Sequence, residues 1–417
     1  MQRVLLWIVV LAAVALTAIG LLPEREPDPI KVAILHSLTG TMAISETPVM
    51  EATLLAIEQL NTQGGLLGRR VTAVVVDGQS DPRIFAREAE RLISQEGVSV
   101  IFGCWTSACR KSVKPIVERD HGLLFYPVQY EGLESSPNII YTGAAPNQQL
   151  IPAVNWALKE FGSSLYLVGS DYIFPRIANW LIKRQVQLLH GEVVSERYIM
   201  LGSRDFSAVV ADIKQRRPSV VINTINGDSN IAFFHTLQTA GITADDIPVL
   251  SLSVGEAEVA KMGGAGVGHY AAWNYLQRID SSHNRAFISA FRSRFGHNRV
   301  VTDPMEAAWI GVHLWAQAVQ IAQSDETAVV QQVIAHQSMH APEGIVAVDH
   351  KTHHLWKRVR IGKVKHDGQF SLEWISPSTV RPTPFPALVN RREAERYMQH
   401  LYTNWNHHWA PQPVAIE

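Results

Sequence analysis

One alternation constrains this chain more than any other feature. Short runs of apolar, often β-branched residues give way repeatedly to segments whose apolar positions recur at helical spacing. Ile30-Lys31-Val32-Ala33-Ile34-Leu35 reads as a buried strand, and Met50 to Asn61 as a helix that stops at Gly64-Gly65. Val71 to Val76, Val98 to Phe102 and Leu123 to Phe125 are further strands, separated by helices over Pro82 to Glu96 and Ser112 to Arg119. Parallel neighbours need a crossover long enough for a helix, so the alternation predicts a parallel sheet covered on both faces. The rhythm then restarts. Helices over Asn147 to Phe161, Phe174 to Leu189, Asp205 to Gln215 and Ser229 to Ala240 alternate with strands at Ser164 to Val168, Val193 to Tyr198, Val220 to Thr224 and Val249 to Leu252. Two series of about 120 residues each predict two similar α/β lobes.

The remainder departs from this rhythm. Helices are predicted over Arg285 to Phe295 and Pro304 to Gln323, the second opened by an Asp303 cap, Pro304 in the first turn and a capping-box Glu306. Leu355 to Trp374 alternates around Asp367-Gly368 and predicts an antiparallel hairpin. The tail holds Pro382, Pro384, Pro386, Pro411 and Pro413 and is expected to wrap the surface. At the other end, Arg3 precedes the uncharged stretch Val4 to Leu22, which reads as a secretory signal or an uncleaved membrane anchor. No cysteine near its end offers lipid attachment. The chain is thus expected to act outside the cytoplasm, in the periplasm or tethered to the inner membrane. A formal net charge of −1 gives no surface for tracking phosphates, so nucleic acid is not an expected partner.

Templates for catalysis are missing from the sequence: no G-x-S-x-G, Walker loop, dinucleotide fingerprint or H-E-x-x-H occurs. Neither an enzyme, a cofactor nor a metal site is expected. The adjacent pairs His353-His354 and His407-His408 do not converge on one ion, and the glycine-dense stretch at 263–268 follows a helix rather than a strand. The two cysteines, Cys104 and Cys109, lie five apart at a loop-to-helix junction. An extracytoplasmic location permits a disulfide that a domain of this size does not require, and the pairing stays open.

Ligands of open α/β sheets bind beyond the carboxyl ends of strands. At those ends stand Trp105-Thr106-Ser107, Tyr126-Pro127-Val128-Gln129-Tyr130-Glu131, Ser170-Asp171-Tyr172 and Asn226-Gly227-Asp228-Ser229. Aromatic walls alternating with neutral hydrogen-bonding groups suit a small uncharged polar solute. Each residue also has a purely structural reading. Ser107 would cap the next helix, Tyr126 and Tyr172 would be packing aromatics, and Gln129 and Asp228 would shape turns.

Gly103-Cys104-Trp105-Thr106-Ser107-Ala108, Tyr126 to Gly132, Gly169 to Pro175, Gly227-Asp228-Ser229-Asn230 and Thr302 to Ala308 together resemble the urea-binding component of urea ABC transporters. Ala271 to Tyr275, Ala341 to Gly344 and His353 to Lys357 extend the likeness, which runs from about Lys31 to about Pro386. The resemblance implies a type I periplasmic binding protein fold, with two Rossmann-like lobes joined by a three-segment hinge. It implies lobes at 30–146 with 277–345 and at 147–276 with 346–380, after a leader at 1–29 and before a tail at 381–417. It further implies ligand contact by Ser107, Tyr126 and Tyr172, and ABC permease subunits as partners. Urea carries four N–H donors where a simple amide has two, so Gln129 and Asp228 are expected to supply the extra acceptors, beside Trp105. The alternative is an amide sensor acting on a membrane signalling partner. One departure is Cys109, which stands where the resemblance leads one to expect a serine-like residue.

Overall fold

A computed structural model describes residues 27–411. The expected leader at Val4 to Leu22 lies outside them, and among the described residues no helix is long and apolar enough to cross a membrane.

The first lobe is built on five parallel strands, β1 (Ile30–His36), β2 (Val71–Asp77), β3 (Ile101–Gly103), β4 (Leu124–Tyr126) and β5 (Ile139–Tyr141), in the order β2-β1-β3-β4-β5. Helices α1 (Ala43–Thr62), α2 (Pro82–Ser94) and α3 (Ser107–Arg119) connect the first four. Two begin earlier than periodicity predicts. α1 starts at Ala43 rather than Met50, because Pro48 interrupts the pattern without ending the helix. α3 starts at Ser107 rather than Ser112, because Arg110 and Lys111 are buried there as charges instead of apolar residues.

After β5 the chain crosses to the second lobe. There α4 (Leu150–Phe161), β6 (Ser164–Ser170), α5 (Ile173–Leu188), β7 (Glu192–Ile199), α6 (Ser207–Arg216), β8 (Val220–Thr224), α7 (Ser229–Thr239), β9 (Val249–Ser251), the short α8 (Glu256–Val259) and β10 (Tyr270–Trp273) follow. It crosses back to α9 (Ser282–Phe295), α10 (Asp303–Ala322) and α11 (Thr327–Ile334), then a small antiparallel sheet of β11 (Ser338–Ala341), β12 (Gly344–Val348) and β13 (Leu355–Trp356). Val346, Val348 and Leu355 share a core with Trp315 and the β1 residues Ile30, Val32 and Ile34, so this sheet packs with the first lobe. The third crossing therefore lies between β13 and β14 (Arg360–Val364). β14 and β15 (Phe370–Ile375) complete a seven-stranded sheet in the order β15-β14-β10-β9-β8-β6-β7. The predicted hairpin is β14–β15, turning at Gly368 with φ +74.

Two local expectations need correction. Asp303 does not cap α10 and Glu306 closes no capping box; Thr302 precedes the helix without a side-chain bond. Asp303 Oδ2 instead accepts from the backbone N–H of Asn274 (2.9 Å) and Tyr275 (2.7 Å), and Glu306 Oε1 from that of Glu343 (3.0 Å). Asp303 thus fastens the second crossing and Glu306 the turn between β11 and β12, where buried backbone donors need acceptors. The tail is also more than a surface wrap. It forms α12 (Arg391–Asn404), capped by Asn390, with Ala394 and Leu401 buried in the second-lobe core.

Candidate functional site

The carboxyl ends of β1, β3 and β4 in the first lobe and of β6 and β8 in the second face one another across a closed cleft. In the first lobe Thr106 is the N-cap of α3 and accepts from the Cys109 N–H, which corrects the capping role considered for Ser107. Ser107 is freed for the interior. Its hydroxyl donates to Glu131 Oε2 (2.5 Å) and accepts from Arg110 Nη1 (3.0 Å). Arg110 is fully buried. It also binds Glu134 (2.9 Å) and Glu131 (3.2 Å) and lies over the rings of Tyr126 and Tyr130. Burial works against its charge, but Glu134 and Glu131 prevail and hold its pKa well above the ordinary value. Tyr126, wholly buried, donates to the backbone carbonyl of Trp105 (2.5 Å). Cys104 and Cys109 form a disulfide with Cα atoms 6.1 Å apart, closing the loop that carries Trp105, Thr106 and Ser107.

The second lobe meets these residues directly. Tyr172 is buried at the start of α5. Burial pushes its phenol pKa well up; Tyr126 and Glu131 add to the shift, Arg110 opposes it and Glu46 contributes further. Trp105 Nε1 donates to Asn226 Oδ1 (3.3 Å), and Gln129 Nε2 donates to Leu252 O (2.8 Å) and Ser253 Oγ (2.9 Å). Trp105, Ser107, Tyr126, Gln129 and Tyr172 are all buried, and Trp105 and Gln129 reach across to the second lobe.

Asp228 stands elsewhere. Its Oδ1 accepts from the Thr41 hydroxyl, its Oδ2 lies 3.6 Å from Arg204 Nη2, and its side chain is 30% exposed. It precedes α7 without capping it. At Gly227, with φ +68, a Cβ would come within 2.7 Å of the Thr41 carbonyl oxygen, so the lobes close there backbone against backbone. Asp228 is a clasp at the rim.

Sequence reasoning missed His36 and Glu46. His36 ends β1 and Glu46 lies in the first turn of α1, both buried. Glu46 Oε2 accepts from His36 Nδ1 (2.9 Å) and the Ser37 N–H (2.9 Å), leaving Oε1 without a hydrogen bond among the described residues. The strand-end rule applied to β1 points to His36; Glu46 was hidden because the helix was expected to begin only at Met50. His36 Nε2, Gln129 Oε1 and Ser229 Oγ are buried and without partners among the described residues. At the rim a cavity of about 260 Å³ is lined by Thr41, Thr106, Ala108, Tyr172, Ala410 and Pro411. Among the described residues no cluster of His, Cys, Asp and Glu could hold a metal ion.

A family profile described as periplasmic binding protein domain matches residues 30–391. Leu/Ile/Val-binding protein homolog 6 of Brucella melitensis is 22% identical over 346 residues, 81% of this chain and 88% of that protein. Limonene hydroxylase of Geobacillus stearothermophilus is 27% identical over 136 residues, and the chain spans only 25% of its length. Among solved structures, a solute-binding protein of an ABC transporter from R. palustris in complex with 4-hydroxybenzoate superposes with a TM-score of 0.76 at 21% identity, over 85% of this chain and 98% of that one. The substrate-binding protein LivJ of Streptococcus pneumoniae, in complex with isoleucine, superposes with a TM-score of 0.73 at 19% identity, over 85% of this chain and all of that one.

Proposed function

The chain belongs to the periplasmic binding protein family, whose members bind solutes outside the cytoplasm, and from that premise we propose that it captures urea or a short-chain amide and delivers it to an ABC importer. One observation carries the reading. Among the described residues Gln129 Oε1, His36 Nε2 and Ser229 Oγ are buried without partners and Glu46 Oε1 makes no hydrogen bond; two of these four can only accept, whereas the nearby Arg110 is spent. Arg110 is neutralised by Glu131 and Glu134. Such a lining needs a ligand rich in N–H donors and without charge. 4-Hydroxybenzoate and isoleucine, bound by the two solved neighbours, each bring a carboxylate, and Arg110 and Lys111 are already paired with Glu131 and Glu134. Each buried acceptor left unpaired costs about 1–3 kcal/mol, so ligands with too few donors are disfavoured.

Calorimetry of the purified protein with urea, acetamide, leucine and 4-hydroxybenzoate tests the reading. Urea is expected to bind most tightly. Binding of leucine or 4-hydroxybenzoate without binding of urea overturns it.

A further inference from the structure

We infer that Glu46, oriented by His36, is the residue that distinguishes urea from a simple amide in this cleft. The inference rests on the urea reading and assigns its selectivity to a position the family resemblance did not supply. Glu46 is 1% exposed. Two donors, the Ser37 N–H and His36 Nδ1, converge on Oε2 and fix the plane of the group. A carboxylate only accepts, so the proton of that contact is on Nδ1. His36 Nε2 has no partner among the described residues. Glu46 Oε1 is an acceptor on the first lobe, and Gln129 Oε1 is a second.

Charge points the same way. Among the described residues no lysine or arginine pairs with Glu46, while Arg110 and Lys111 are engaged by Glu131 and Glu134. An oxygen of a buried carboxylate needs a strong donor, and the amino group of a neutral ligand supplies one without bringing a charge. Urea has an amino group on each side of its carbonyl. Acetamide replaces one with a methyl group, which would set carbon against Glu46 Oε1 and leave it dry and unpaired. Asp228 cannot exert this preference, because its oxygens face Thr41 and Arg204 at the rim.

The test is the ratio of urea to acetamide affinity in the full-length protein and in Glu46→Gln. The Gln side chain keeps the shape but replaces an acceptor with a donor. The urea Kd is expected to rise about 10- to 100-fold, while the acetamide Kd moves by less than about threefold. His36→Gln, a positioning change, should shift the ratio in the same direction and less. Calorimetric stoichiometry reports the active fraction, so partial misfolding leaves the ratio readable; if Glu46→Gln does not fold, the His36→Gln ratio decides. An unchanged ratio in the variants, with urea bound normally by the parent protein, overturns the assignment to Glu46 and leaves the urea reading standing. Failure of the parent protein to bind urea removes the urea reading itself.

Discussion

Ser45 of the first lobe donates its hydroxyl to Glu258 Oε1 of the second at 2.6 Å, and both side chains are buried. With the Thr41–Asp228 bond, made from the same segment of the first lobe, it holds the lobes together. In a hinged protein, contacts made only in the closed form shift the closing equilibrium and hence the apparent affinity of any ligand that needs closure.

Ser45→Ala should therefore weaken every cleft ligand alike. It strands Glu258 Oε1 only when the lobes are shut, at a cost of about 1–3 kcal/mol, which is roughly 5- to 150-fold in Kd. Asp228→Ala should act in the same direction and less, because that side chain is partly solvated. Calorimetry with urea and acetamide checks this. A change confined to urea in Asp228→Ala would return Asp228 to the ligand shell.

Stability should fall toward alkaline pH. Burial first, and then Asp303 and Glu258, push the Glu256 carboxyl up to about 8 against a backbone N–H bond from Gln277 (2.7 Å). The folded state thus holds this proton more tightly than the unfolded chain, where the carboxyl titrates near 4.5. Its contribution is complete below that value and is lost as pH climbs through about 8, by at most about 1.4 kcal/mol per pH unit. Melting of the unliganded protein between pH 5 and 9 should show the decline, and Glu256→Gln should flatten it. Parallel profiles for the two proteins would mean that Glu256 is not the group responsible.

Reduction should disturb the ligand loop. The Cys104–Cys109 bond closes a short loop containing Trp105 and Ser107, and chain-entropy arguments assign such a loop about 2 kcal/mol. Reduced protein, or Cys104→Ser with Cys109→Ser, should melt earlier and bind urea several-fold more weakly. Intact affinity in a sample shown by mass to carry two free thiols would mean that the Thr106 cap and the Ser107–Glu131 bond hold the loop unaided.

The C-terminal segment should slow ligand release. The family match ends at residue 391, yet the chain continues through α12 to Trp409. The carbonyl of Trp409 accepts from the Ile173 N–H of the second lobe (3.0 Å), and its ring lies 5.1 Å from Lys111 Nζ of the first. Trp409→Ala keeps the backbone bond and loses the ring contact, worth about 0.5–1 kcal/mol at a partly exposed site. Stopped-flow dissociation of urea should quicken two- to five-fold, with melting temperature little changed. An unaltered rate would make the segment a passive cover.

Much of the architecture is legible in local sequence because backbone pairing imposes local periods. Strands such as Ile30–His36 and Val220–Thr224 declare themselves by apolar, β-branched runs. Once a parallel sheet is inferred, the rule about strand ends brings out Trp105, Ser107, Tyr126, Gln129 and Tyr172. Charges inside helices defeated the same reasoning: Arg110 and Lys111 break the apolar pattern of α3, yet they are buried because Glu131 and Glu134 wait more than 20 residues away. The surroundings of Glu46 and Asp228 came into view only with the lobes docked. Asp228 meets a hydroxyl 187 positions earlier in the chain, and no local rule links the two. A period of two or 3.6 residues is written in neighbouring side chains; which carboxylate faces the interior and which the rim depends on how two separately folded sheets come to rest against each other.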